Sequence, residues 1–216
     1  MLPDLDIIIV NWNSAHQFWD CLDSIVSSDR CDFKLGEVIV IDNASTDSSL
    51  DNLDDINLPL NIIKNIENKG FGAACNQGVA IIKSDYFLFL NPDTKLFNDA
   101  LDKAVSFMEK SLDRRVGVVG IQLVDELGKV QRNCTRFPSI TNLWCSILGV
   151  DKLVTNKFTS YFMKDWEHST TQKVDQVMGA FYLIRSEVFR LVGGFDERFF
   201  VYFEDLDLSY RVNKLH

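Results

Sequence analysis

The sequence predicts an α/β fold, a mostly parallel central sheet flanked by helices in a single compact domain. Short runs rich in Ile, Val, Leu and Phe alternate with segments of helical periodicity through residue 121. Several of those runs are apolar on consecutive positions, as strands covered on both faces tend to be. The 216 residues are 46% hydrophobic and 25% charged, which suits one globular unit whose core needs no disulfide or metal staple.

Taken in order, residues 6–10 (Asp-Ile-Ile-Ile-Val) give the first expected strand. A helix follows, because Ala15, Phe18, Trp19, Leu22, Ile25 and Val26 recur at three- and four-residue spacing behind a Ser14-x-x-Gln17 capping box. Residues 37–41 and 60–66 read as the next strands, and 71–83 as the second helix. Residues 86–90 form a fully apolar strand that Pro92 ends. A third helix over 98–110 puts Leu101, Ala104, Val105 and Met108 on one face. Strands are expected over 116–121 and 177–184. A short helix capped by Ser186 and stopped at Gly193-Gly194 precedes a last helix opening near Glu204. Connections lengthen and grow aromatic from Gln122, dividing the chain into residues 1–121 and 122–216 with no linker between them. In such sheets ligands bind at the carboxyl ends of the strands.

With 22 Lys and Arg against 31 Asp and Glu, the net charge is −9, which argues against a nucleic-acid binder. A phosphate ligand then needs a local device such as a metal ion. Cys21, Cys31, Cys75, Cys134 and Cys145 are scattered without a C-x-x-C pair, as in a reducing compartment. Without a signal-peptide core or a run long enough to span a bilayer, the chain reads as cytoplasmic and soluble. Residues 143–150 are apolar enough to touch a membrane or partner, but burial is the expectation. His16, His168 and His216 lack metal-ligand spacing, and Cys75 has no evident His partner.

Four clusters carry candidate chemistry. Asp42 ends an apolar strand, where a carboxylate can accept from a ribose hydroxyl or base N–H, or simply start a turn. A dinucleotide fold would need a Gly-rich turn after the first strand, and Asn11-Trp-Asn-Ser-Ala-His16 has none. In Asn68-Lys-Gly-Phe-Gly-Ala-Ala-Cys-Asn76, Gly70 and Gly72 allow close approach of a ligand, tight helix packing being the competing explanation. Asn91-Pro-Asp93 presents a carboxylate on a rigid turn, suited to a hard cation shared with a diphosphate. Glu204, Asp205 and Asp207 crowd a helix start, and the macrodipole accounts for only one or two of them. Phe199, Phe200, Tyr202 and Phe203 would set these acids beside apolar surface, raising proton affinity toward that of a general base. Arg132 or Arg136 could reach an anionic ligand, and Arg198 or Arg211 could hold a diphosphate or only form ion pairs.

In their joint order, Asn11-Trp12-Asn13, Val-Ile-Asp-Asn-Ala-Ser-Thr-Asp, the Asn-Lys-Gly-Phe-Gly turn, Leu-Asn-Pro-Asp-Thr and Phe-Glu-Asp-Leu-Asp-Leu-Ser-Tyr-Arg resemble family 2 glycosyltransferases. The resemblance is to the rhamnosyltransferase-like branch, which builds bacterial surface polysaccharides. It implies a GT-A, Rossmann-like fold and an inverting enzyme using a nucleotide-diphosphate sugar, dTDP- or UDP-linked, with Mg²⁺ or Mn²⁺. It further implies a glycan or lipid-linked glycan acceptor, with peripheral association at the inner face of a membrane. Position by position, Asp42 would bind the base or ribose beside Asn11 and Asn43, with Gly70, Gly72 and Asn76 completing the nucleotide-sugar set. Asp93 matches the metal carboxylate, with Asn91 where many relatives have a first acid. Asp205 matches the catalytic base and Glu204 the acid preceding it. Residues 1–121 become the donor half and 122–216 the acceptor half. Relatives commonly continue past the Glu-Asp motif, so the chain is expected to be C-terminally truncated. Two rivals stand beside this reading: a non-catalytic nucleotide-sugar or glycan binding module, and a sugar nucleotidyltransferase. The latter needs a basic Gly-rich loop that residues 12–16 lack.

Overall fold

Consecutive isoleucines need apolar cover on both sides of a strand, and the fold provides it. The computed structural model describes residues 1–111, 116–149, 161–163 and 165–215, apart from the side chains of residues 142, 143 and 146. Strands β1 (Asp4–Asn11), β2 (Lys34–Asp42), β3 (Leu60–Lys64) and β4 (Tyr86–Leu90) pair in parallel. Two later strands, β5 (Val118–Val119) and β10 (Phe181–Arg185), join them in a six-stranded sheet ordered β3-β2-β1-β4-β10-β5. β10 is antiparallel to both its neighbours. The expected mostly parallel sheet is present, and its antiparallel member comes from the second half of the chain.

Side chains of β1 alternate between two cores. Ile7 and Ile9 pack with Phe18, Leu22 and Ile25 of helix α1 (Ala15–Val26) and with Leu101, Val105 and Met108 of α3 (Ala100–Lys110). Ile8 and Val10 face Ala74 and Val79 of α2 (Phe71–Val79), Phe189 of α5 (Ser186–Leu191) and Leu208 and Val212 of α6 (Glu204–Asn213). Each fully buried aliphatic side chain contributes roughly 1.5–3 kcal/mol, so both layers are anchored to the same strands. The last helix, which carries the acids, is thereby fixed to the sheet.

Several expectations are corrected. The Ser14 side chain makes no cap; Ala15 N–H donates instead to Asp47 Oδ2 and Ser49 Oγ, from the loop after β2. Ser186 is likewise the first helical residue of α5 rather than a side-chain cap. The strand expected over 177–184 is broken into β9 (Gln176–Val177) and β10 by a turn at Met178–Ala180. β9 pairs with β8 (Cys134–Thr135), while β6 (Leu123–Val124) and β7 (Val130–Gln131) form a separate small ladder. Helix α4 (Ile140–Ile147) overturns the expected burial of its region: Ile140, Trp144, Ile147 and Leu148 are exposed. Their spacing places them on one helix face. Arg114, Arg115, Val150 and His216 lie outside the described residues.

Candidate active site

Strand register brings the candidate acids to one edge of the sheet. Asn11 pairs with Asp42 across β1 and β2, Ile9 pairs with Leu90 on β4, and Leu90 pairs with Phe181 on β10. The carboxyl ends of β1, β2 and β4 and the amino end of β10 therefore meet at one rim. Neighbouring strands lie about 4.8 Å apart, so β2 and β4 are separated by roughly 10 Å across that rim.

Asp42 is nearly fully buried there, its Oδ1 accepting from Asn11 Nδ2 (2.9 Å) and its Oδ2 from Ser45 N–H (3.2 Å). It both forms the turn and presents a fixed carboxylate. Asn11 also donates to Ser45 Oγ, while its Oδ1 is buried without a partner. Asn43 is a brace: its amide donates to Gly70 O and accepts from Asn65 Nδ2.

The glycine-rich turn packs closely against the segment before α6. Gly70 has φ +82°, and a Cβ there would lie 2.3 Å from Phe200 O. That carbonyl accepts from Phe71 N–H (3.1 Å), so the protein's own backbone fills the space beside the Gly70 Cα. A Cβ on Gly72 would come within 3.1 Å of Phe195 Cβ. Asn76 donates to Phe195 O and Glu197 Oε1 and accepts from Phe195 N–H, which commits its amide to the segment before α6. These three residues shape the site by holding that segment in place.

Asp93 is exposed and makes no hydrogen bond or ion pair among the described residues. Its turn is pinned to the start of β10, since Asn91 N–H and Thr94 Oγ1 both donate to Ala180 O (3.1 and 3.2 Å). Beneath it, burial and the Asp93 charge push the Cys21 thiol up to about 12, so Cys21 is no nucleophile at neutral pH. Among the described residues no three His, Cys, Asp or Glu side chains cluster to hold a metal. A free carboxylate still fits a hard cation whose other ligands are diphosphate oxygens and water.

Asp205 is held by Gly179, the residue before the Ala180 that pins the Asp93 turn. Its Oδ2 accepts from Gly179 N–H (3.0 Å) and its Oδ1 from Leu206 N–H (2.7 Å). Burial raises its pKa, and hydrogen bonds from the Gly179 and Leu206 N–H groups partly offset the rise. Glu204 points elsewhere, buried beside Gly72 and close to Cys75, with Oε2 unpartnered; burial, then the Asp205 charge, raises its pKa. The flanking aromatics do not bury these acids, since Phe200, Tyr202 and Phe203 are themselves exposed. Tyr202 and Phe203 instead take left-handed backbone (φ +64° and +67°), a strained entry of about 1–3 kcal/mol per residue that aims α6.

Three of the four candidate arginines are engaged in ion pairs, and Arg132 is exposed with none among the described residues. Arg136 binds Asp165 through two nitrogens, Arg198 binds Asp196, and Arg211 binds Asp207 and Val192 O. His16 is exposed, and His168 is buried and stacked on Trp166 with its pKa lowered by burial.

Residues 6–190 match the family described as Glycosyl transferase family 2. The chain belongs to glycosyltransferase family 2. Within it, the chain is similar to the N-acetylglucosaminyl-diphospho-decaprenol L-rhamnosyltransferase of Mycobacterium tuberculosis, at 25% identity over 82% of this chain and 61% of the relative. It is also similar to the rhamnosyltransferase WbbL of Escherichia coli, at 30% identity over 67% of this chain and 54% of the relative. The chain thus spans between about half and two thirds of the length of these curated relatives. Among solved structures, the mannosyltransferase PcManGT of Pyrobaculum calidifontis, in complex with GDP-Man and Mn²⁺, matches 98% of this chain and 52% of its own. The TM-score is 0.64 at 20% identity, which establishes the shared GT-A fold. Neither rival, the binding module or the nucleotidyltransferase, is favoured by these family 2 relatives.

Gly179 did not stand out as a site residue in the sequence. The available signal was Met178-Gly-Ala180 interrupting an apolar run, since a glycine inside a strand marks a bulge or close backbone approach.

Proposed function

We propose that this chain is the catalytic domain of an inverting, metal-dependent glycosyltransferase that moves a sugar from a nucleotide-diphosphate donor to a glycan acceptor. The observation that carries the proposal is the double use of the 178–180 turn: Ala180 O anchors the Asp93 loop while Gly179 N–H anchors Asp205. Asp42, steadied by Asn11, would accept from the base or ribose. Asp93 would hold Mg²⁺ or Mn²⁺ with the diphosphate, and the ion, when bound, neutralises charge developing on the leaving group. Asp205 would take the proton of the attacking hydroxyl, its raised proton affinity suiting it to the task. One displacement with one base inverts the anomeric carbon, so no protein nucleophile is required. Gly70, Gly72, Asn76 and Asn43 position these groups, with residues 1–121 on the donor side and 122–216 on the acceptor side.

Similarity to two rhamnosyltransferases supports rhamnose as the transferred sugar, and the printed name of the first supports a lipid-linked glycan as the acceptor; a dTDP- or UDP-linked donor is part of the same proposal. Peripheral contact with an anionic lipid surface belongs to the same reading. It is supported by the exposed face of α4 and by residues 129–164, which carry six Lys and Arg and one Asp in a chain of net charge −9. No described helix is long and apolar enough to cross a membrane.

The test is to titrate dTDP-, UDP- and GDP-sugars with Mg²⁺ or Mn²⁺, following binding and nucleoside-diphosphate release. At least one donor should bind only with metal, Asp93→Ala should lose that binding, and Asp205→Asn should keep binding while losing transfer. Equal loss of donor binding in both variants would overturn the separate roles.

A further inference from the structure

Resting on the proposed roles of Asp93 and Asp205, the join between the loops that carry and hold them comes down to one side chain. Leu90 and Phe181 are the last paired residues of β4 and β10 toward the rim. Beyond that pair the chain leads one way to Asp93 and the other way, through Ala180, to Gly179. Residues 91–94 close a β-turn, with Thr94 N–H donating to Asn91 O (3.1 Å) and with Pro92 and Asp93 at the two central positions. Both ends of that turn stand on a single acceptor. Asn91 N–H and the Thr94 hydroxyl donate to Ala180 O at 3.1 and 3.2 Å, which uses both lone pairs of the carbonyl. A turn held at one end can pivot about its bond; a second bond from the other end stops the pivot and fixes the tip that carries Asp93. On its far side the loop rests on α1, where Leu96 N–H donates to Ser24 Oγ (3.0 Å) and the Cys21 thiol to Asn91 O (3.7 Å).

The same carbonyl steadies the loop that holds the base. Gly179, whose N–H donates to Asp205 Oδ2 (3.0 Å), has no side chain, and a Cβ built there would meet nothing nearer than 3.8 Å. Packing therefore does not fix this turn, and its direction depends on hydrogen bonds to the residues on either side. Met178 N–H donates to Asn133 O (2.9 Å) before it, and Ala180 O takes its two bonds after it. We propose that Thr94 is the positioning residue that sets the metal carboxylate and the general base in one frame: its hydroxyl locks Ala180 O, and so holds the Asp93 tip and the Gly179 N–H at a fixed separation. Displacement at an anomeric carbon needs the leaving group and the attacking hydroxyl in line on opposite sides of one atom. An error in that separation costs rate more than binding, on the order of 10²-fold for a 1 Å misplacement.

The experiment compares Thr94→Val, which keeps the shape and removes the donor, with Thr94→Ser, which keeps the donor. In the 216-residue chain without ligand, amide exchange at Gly179 should quicken by about fivefold in Thr94→Val and return to the wild-type rate in Thr94→Ser. In transfer assays Thr94→Val should lower kcat roughly tenfold with donor KM and Mn²⁺ affinity unchanged, and Thr94→Ser should restore kcat. A folded Thr94→Val with wild-type Gly179 exchange, or with wild-type kcat, would overturn the assignment. Loss of Mn²⁺ affinity in step with kcat would overturn it too, because Thr94 would then serve the metal loop alone. If Asp205→Asn keeps full transfer, the general-base reading fails instead, and the exchange rate still reports whether Thr94 holds the turn.

Discussion

Replacing Gly70 by Ala tests whether the glycine-rich turn is a packing device. Gly70 has φ +82° and ψ 168°, a region that L residues avoid, which costs about 1–3 kcal/mol. Its new Cβ would stand 2.3 Å from Phe200 O and 3.0 Å from Phe200 C, both backbone atoms, so the 195–204 segment must shift. Overpacking of this kind adds about 1–3 kcal/mol. Losing the Phe71 N–H to Phe200 O hydrogen bond adds about 1 kcal/mol. The sum, about 5 kcal/mol, should lower Tm by roughly 10–20 °C in a domain of this size. Gly128→Ala is the control, since Gly128 has φ +76° but nothing within 4 Å of an added Cβ. Only backbone strain of about 1–2 kcal/mol applies there, or roughly 2–8 °C. Scanning calorimetry of both variants reads the difference directly. Equal losses of Tm would show that Phe200 does not press on Gly70 and would remove the packing account of this turn.

Other outcomes follow from the same contacts. Asn76→Leu cuts three hydrogen bonds to the 195–197 segment and should cost about 2–4 kcal/mol, seen as a lower urea midpoint at unchanged slope. Glu204 and Asp205 both have raised pKa values, so the folded state holds protons that the unfolded state releases, and their contribution falls as pH rises from the unfolded to the folded pKa. Glu204→Gln should therefore raise Tm at pH 7 relative to wild type, with the gap closing toward pH 4; a gap independent of pH would contradict the buried, unpartnered carboxylate. Trp144→Glu, on the exposed face of α4, should weaken flotation with anionic vesicles at least tenfold while leaving Tm unchanged. Equal flotation of both proteins would remove α4 from any lipid contact.

The strands carrying the acids were readable because their physics is local. Ile7 to Val10 and Tyr86 to Leu90 are apolar on every position, and Pro92 marks where the second run ends. The order of Asp42, Asp93 and Asp205 along the chain was legible for the same reason. What the sequence concealed depends on partners distant in the chain. The Ser14 capping box failed because the Ala15 N–H is satisfied from Asp47 and Ser49. The apolar run over 177–184 looked continuous, yet Gly179 leaves the ladder to meet Asp205, 26 residues later. Gly70 and Gly72 signalled close approach correctly, but the approaching group was Phe200 and Phe195 of the chain itself. Glu204 and Asp205 are adjacent in sequence but diverge in space, because one turns toward α2 and the other toward the turn at Gly179.

The convergence of Asp42, Asp93 and Asp205 on one rim is tested most directly by paramagnetic broadening from bound Mn²⁺ in the presence of a nucleoside diphosphate. Amide signals of Asp93, Thr94, Gly179 and Asp205 should broaden together, while those of Leu35 and Tyr86 at the opposite ends of their strands stay sharp. Broadening centred away from residues 91–94, or reaching Asp93 but leaving Gly179 and Asp205 untouched, would contradict a single shared site.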